Sequence, residues 1–169
     1  MATREAWDAA RAGAWARGQG LPPGTSPALV VAALGGALPL AVESTLGRRR
    51  VDRYDGSSLR IWADGGAALL VEWIDPPCAG TVAELVAALG APDREGPGRH
   101  LRAGATTTEH VFAARGLAIT VAASYDQPAS FAPRLASVQL FAAGTLRDFV
   151  VELGGNDQPG PRPIGPGRR

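Results

Sequence analysis

The stretch GTVAELVAALG, Gly80–Gly90, sets the plan of this chain, because GTLRDFVVELG at Gly144–Gly154 repeats it in chemical type. In the first copy the Thr81 hydroxyl can accept from the backbone N–H of Glu84. The Glu84 carboxylate can reach back to Thr81, and the two together make a capping box. Val82, Leu85, Val86 and Leu89 then fall on one helical face, and Gly90 stands where a left-handed residue ends a helix. Thr145, Asp148, the stripe Leu146, Phe149, Val150 and Leu153, and the closing Gly154 follow the same design. A fainter copy, SPALVVAALG at Ser26–Gly35, offers Ser26 as cap and Pro27 at the first helical position. Three short helices are expected.

Between them lies a second repetition. RIWADGGAALLV, Arg60–Val71, aligns without gaps on HVFAARGLAITV, His110–Val121. Each is a run of β-forming residues, a turn ending in glycine, and another β run, so each reads as a hairpin. Arg50–Tyr54 reads as a strand before the first hairpin, and Ser137–Phe141 as one after the second. The loop YDQPASFAPR, Tyr125–Arg134, joins the last two. Helix followed by antiparallel hairpin, used twice and closed by a final helix, makes the fold class α+β. An amphipathic N-terminal helix (Ala2–Arg17, striped by Trp7, Ala10, Ala14 and Trp15) and a Pro-rich linker occupy residues 1–24. The repeat domain spans 25–155, and the Pro/Gly-rich tail 156–169 reads as disordered.

Composition narrows the chemistry. The chain contains no lysine; all 17 basic residues are arginine, against 16 acids. With its alanine, glycine and proline excess this fits a GC-rich bacterial genome. Without an ammonium group a Walker A loop, a Schiff-base enzyme or a serine–lysine acyl enzyme cannot be built. A net charge of +1 gives no general pull toward nucleic acid. The one cysteine, Cys78, forms no internal disulfide and supports no cysteine zinc site, so a cytoplasmic location is expected.

The apolar run Ala28–Val42 is shorter than a bilayer span and is broken by Gly35, Gly36 and Pro39, so no membrane partner is expected. Cys78 precedes a helix N-terminus, but no base is tied to it by sequence. His100 and His110, even with Asp52 or Asp55, match no metal-ligand spacing. The cluster GRRRVDR, Gly47–Arg53, is split between two strand faces and diluted by acids. Asp75 and Asp126 do not read as a catalytic carboxylate pair. No catalytic, cofactor or metal residue is assigned.

GTVAELVAALGAPDR, a capped helix ending in Leu-Gly-x-Pro ahead of antiparallel strands, resembles the unit of β-lactamase-inhibitor-protein and SmpA/BamE-type domains. That resemblance is carried by Gly80–Val121. It implies a small duplicated module with helices on one face of an antiparallel sheet and an open face that grips another protein. No lipobox cysteine stands near the N-terminus, so lipoprotein behaviour is not implied.

Strand alternation then assigns faces. With Ala63 opposite Ala67, the residues Leu59, Ile61, Leu69 and Val71 share the helix-covered face, joined by Val111, Leu117, Ile119 and Val121. The open face receives Arg60, Trp62, Leu70 and Glu72, then His110, Phe112 and Thr120, with Gln139 and Phe141. Both hairpins thus set a cationic or imidazole group beside an aromatic ring, which is how interface hot spots are composed. The expected function is a non-catalytic protein-binding module of inhibitor, immunity or accessory type, using Arg60, Trp62, Glu72, His110, Phe112, Gln139 and Phe141. Three alternatives stand beside it. The N-terminal helix covers this face as a second small core; a small molecule, bound or turned over, occupies a pocket between the sheet and the 125–134 loop; or the chain is a membrane-tethered module using Ala28–Val42.

Overall fold

The computed structural model describes residues 24–33, 37–76, 81–98, 105–124 and 133–154. Cys78, His100, Asp126, the N-terminal helix expected at Ala2–Arg17 and the tail beyond Gly154 lie outside the described residues. In chain order the elements are α1 (Pro27–Ala33), β1 (Ala41–Leu46), β2 (Arg49–Asp55), β3 (Leu59–Asp64) and β4 (Ala67–Ile74). There follow α2 (Val82–Leu89), β5 (Arg94–Pro97), β6 (Ala105–Phe112), a 3-10 turn (Ala113–Arg115), β7 (Leu117–Ser124), β8 (Arg134–Phe141) and α3 (Leu146–Leu153). The class is α+β.

The strands form one antiparallel sheet in the order β1-β2-β3-β4-β8-β7-β6-β5. After α1 come four strands that meander side by side; after α2 come four more, and the two meanders meet where β4 pairs with β8. Of the described residues in the apolar run Ala28–Val42, the first lie in α1, residues 37–40 are irregular, and Ala41 and Val42 open β1. Among the described residues no helix is long and apolar enough to cross a membrane.

Both capping boxes form. The Thr81 hydroxyl accepts from Glu84 N–H at 3.2 Å, and Thr81 N–H donates to the Glu84 carboxylate at 2.8 Å. Thr145 and Asp148 repeat those bonds at 3.2 and 2.8 Å. Gly154 ends α3 in the left-handed conformation, whereas Gly90 ends α2 with positive φ but extended ψ.

The sheet carries a core on each side. One contains Val30 and Val31 of α1 and Val82, Leu85 and Leu89 of α2, over Ile61, Val71, Trp73, Leu117, Ile119, Val138 and Leu140. The other contains Phe149 of α3 over Leu46, Val51, Leu70, Val111, Ala118 and Phe141. The expectation that all helices share one face is therefore corrected. α3 crosses to the far side because its Phe149 ring meets Phe141, which β8 points that way, at 4.7 Å between centroids. A third layer over that part of the sheet follows.

Two local irregularities decide which side chains go where. The β3–β4 ladder shifts register between Trp62 and Ala63: Trp62 opposes Leu70 but Ala63 opposes Ala68. The bulge residue Leu69 turns to the α3 side with Leu70 instead of joining Val71. The β6–β7 connection is longer. Asp64 and Ala67 pair across Gly65 and Gly66, whereas Phe112 pairs with Leu117 across four residues. Gly116 closes that turn with φ +63 and its amide bonded to Ala113.

Candidate functional site

The α3-side face carries a polar row. Asp55, Arg60, Glu72, Gln139 and Ala118 sit opposite one another in successive strands β2, β3, β4, β8 and β7. Facing pairs across a ladder bring their side chains into contact. Arg60 Nη1 donates to Glu72 Oε2 at 3.2 Å, and its Nε donates to Asp55 Oδ1 at 2.9 Å. Gln139 Nε2 donates to the other Glu72 oxygen at 3.1 Å. Arg53, one turn of the pleat away, donates to Asp55 at 3.0 Å and to Ser44 at 3.5 Å. The guanidinium of Arg60 also stands 5.7 Å from the Trp62 ring centroid, within cation–π range.

Burial grades this row. Glu72 has no exposed surface, Gln139 is 2 % exposed, and Arg60 keeps 29 % of its side chain in water. A carboxyl group at such depth needs hydrogen-bonding partners, and Arg60 and Gln139 are two of them. The arrangement anchors Arg60 from beneath while its outer part, with Trp62, Arg53 and Asp55, stays accessible.

Beside the row lies a cleft of about 120 Å³ lined by Arg60, Glu72, Ile74, Thr107, Thr120, Ala136 and Ser137. Ser137 is 4 % exposed, and among the described residues neither its hydroxyl nor the Gln139 carbonyl oxygen has a hydrogen-bond partner. A larger cleft of about 370 Å³ opens between α3 and the sheet, lined by Leu69, Phe141, Phe149 and Leu153 with Arg49, Asp148 and Glu152 at its rim.

Of the seven residues expected to bind a partner, Arg60, Trp62, Glu72 and Gln139 stand together on one face. Phe141 faces the same way but is buried under Phe149 at 2 % exposure, so it presents no surface. His110 and Phe112 are corrected to the opposite face. His110 pairs with Ile119 and Phe112 with Leu117, both on the side of α1 and α2. Phe112 is 3 % exposed there, and His110 Nδ1 lies 3.4 Å from Glu95. Val111, expected beneath the helices, exchanges places with them and enters the α3-side core. The gap-free alignment of the hairpins explains the inversion. By position in the meanders β3–β4 corresponds to β7–β8, and the alignment presumes equal turn lengths where the turns differ.

Sequence reasoning missed Arg53 and Asp55 as members of the row, although their alternation with Val51 in β2 is the signal that places them. Among the described residues no three His, Cys, Asp or Glu side chains converge to hold a metal ion. Compared with protein-family models, with curated proteins and with solved structures, the chain finds no match.

Proposed function

We propose that this chain is a non-catalytic protein-binding module that engages its partner through Arg53, Asp55, Arg60 and Trp62 on the α3-side face. One observation carries the reading: Arg60 is fixed between Asp55 and the buried Glu72 while lying over Trp62. Arginine and tryptophan dominate interface hot spots, and an arginine already held in place loses little rotamer freedom on binding. Glu72 and Gln139 act from below as positioning residues. The two helix-plus-meander halves and the final helix support the duplicated-module reading, and with it the resemblance to inhibitor-type domains.

The test is affinity capture with the wild type and with Arg53→Ala/Trp62→Ala, both checked for unchanged folding by circular dichroism. Loss of a hot spot of about 2 kcal/mol weakens a partner's binding about thirtyfold. A partner held equally by both forms and by Arg60→Lys would overturn the proposal.

A second reading rests on Ser137. Buried polar groups are nearly always paired, and this hydroxyl borders the cleft with no partner among the described residues. A polar molecule of a few heavy atoms, accepting from Ser137 and Arg60, fits that space. Under this reading Ser137→Ala abolishes ligand-induced thermal stabilisation and leaves protein capture untouched, which separates the two.

A further inference from the structure

We propose that β1 is a strand-addition edge through which two copies of this chain pair antiparallel, with the two-fold axis at Ser44. The two ends of the sheet are built differently. β5 spans Arg94–Pro97 and carries Gly96 and Pro97, a short edge blunted in the usual way. β1 spans six residues, Ala41–Leu46, with neither glycine nor proline, and most of it is exposed. Beside and within it Leu38, Leu40 and Val42 are 41, 91 and 44 % exposed. Half the backbone amides and carbonyls of such a strand point away from β2 and present a template for another strand.

Self-pairing has few registers. Residues opposed across a ladder must share a face, so the axis passes through a residue and never between two. Charge then selects among them. Glu43 lies opposite Asp52 in β2, and Thr45 lies opposite Arg50. An axis at Glu43 would line up Asp52, Glu43, Glu43 of the second copy and its Asp52, four carboxylates in one row. An axis at Val42 would set Glu43 against Ala41 and Tyr54 of the second copy, with no cation in line. At Ser44, Glu43 faces Thr45 of the second copy with Arg50 directly behind it, and the symmetric row repeats the match. Val42 then stands opposite Leu46 of the second copy on the other face, at the margin of the α3-side core. Arg50 already approaches Glu43 within one chain at 3.7 Å, so the dimer extends an existing charge pattern. This edge adjoins the Arg60–Trp62 site, since Arg53 reaches Ser44 at 3.5 Å, but the proposal rests on the strand edge alone and stands without that site.

Two six-residue edges bury less than the roughly 1,200 Å² of a stable specific interface, so the association is weak and concentration-dependent. Sedimentation equilibrium of the full chain should show the mean mass climbing toward twice the monomer between about 1 µM and about 500 µM. Glu43→Arg, at a side chain 78 % exposed and therefore without consequence for folding, should weaken the dimer at least about tenfold. Glu43→Arg/Arg50→Glu should restore it, because the rows are again complementary with signs exchanged. In a Cys78→Ser background, Ser44→Cys should form an intermolecular disulfide on mild oxidation. A chain that stays monomeric over the whole range overturns the proposal and leaves β1 to a strand of a different protein. A dimer indifferent to Glu43→Arg, or one that Ser44→Cys fails to cross-link, overturns it in favour of another surface.

Discussion

Arg60 and Glu72 face one another as a directly opposed pair in β3 and β4, guanidinium to carboxylate at 3.2 Å, and only the arginine reaches water. That asymmetry decides what each substitution does. Removing Arg60 takes the facing cation from a carboxylate of zero exposure, and breaking a buried pair costs about 3–5 kcal/mol. Arg60 is 29 % exposed, so the lower end applies: Arg60→Ala should destabilise by about 3 kcal/mol. Arg60→Met/Glu72→Met removes both charges and fills the same space, and should come within about 1 kcal/mol of the wild type. Urea denaturation of the three proteins checks this. Equal losses in single and double variants would mean that the packing, not the charge, holds this row.

The opposite placements of Trp62 and Phe112 give a second contrast. Phe112 is 3 % exposed among Leu117, Leu140 and their neighbours, and truncating a buried ring costs about 3–5 kcal/mol. Trp62 is only partly buried under Arg60, so Trp62→Ala should cost less than half as much while removing the proposed contact. Thermal unfolding of the two variants side by side measures the difference. Equal destabilisation would place Trp62 in the core and take it out of any interface.

Much of this architecture was legible in the residues, and the reasons for the rest are local. The capping boxes at Thr81 and Thr145 were readable because they are made within four residues. β8 was readable from its β-branched and aromatic residues and β2 from Val51 and Tyr54, and both extend beyond the stretches read as strands. β1 and β5 were not: AVESTL begins inside the apolar run read at Ala28–Val42, REGP carries little β preference, and both are held by pairing with β2 and β6. The faces of β6 were inverted because alternation has no tolerance: one residue of difference in a turn exchanges His110 and Phe112 with Val111. The side taken by α3 depends on Phe149 meeting Phe141, a contact to another element that no local pattern encodes. Consequently Arg60, Trp62, Glu72 and Gln139, on strands whose parity was read correctly, survive as a group.

The turn that caused the inversion can itself be tested. Gly65 and Gly116 both have positive φ, +55 and +63, where asparagine is the best-tolerated substitute. At Gly65 a Cβ meets nothing within 4 Å, so Gly65→Asn should cost under about 1 kcal/mol. At Gly116 a Cβ would collide with the carbonyl of Phe141, which accepts no displacement because the Phe141 amide is bonded to the Gly116 carbonyl. Gly116→Asn should therefore cost at least about 2 kcal/mol more than Gly65→Asn. Similar values from chemical denaturation would show that backbone strain alone, and not the close approach of β8, fixes this turn.

α3 is the element whose stability bears on the α3-side face, and its N-terminus supplies a pH-dependent handle. Asp148 accepts from the Thr145 amide and from the Thr145 hydroxyl, at 2.8 and 2.7 Å. Those bonds, the backbone one foremost, hold its carboxyl below the ordinary aspartate value, with Arg147 adding a smaller pull the same way. A group whose folded pKa is depressed contributes stability that is complete above its unfolded value and is lost as pH falls through the folded one. The wild type should thus lose a small increment on the acid side of the carboxylate range. Asp148→Asn should lack that increment, with a flatter acid limb in a plot of unfolding free energy against pH. Thr145→Ala removes the N-cap itself and should cost about 1 kcal/mol at neutral pH, as should Thr81→Ala in α2. The two caps then diverge in consequence. Loosening α3 uncovers Phe141 and Leu70 on the α3-side face, whereas loosening α2 exposes only the opposite core. A hydrophobic dye should accordingly bind Thr145→Ala near its unfolding transition, in a manner blocked by any partner of the Arg60–Trp62 site that also covers α3. Thr145→Ala with unchanged stability would mean that Phe149, 1 % exposed, holds α3 without help from its cap.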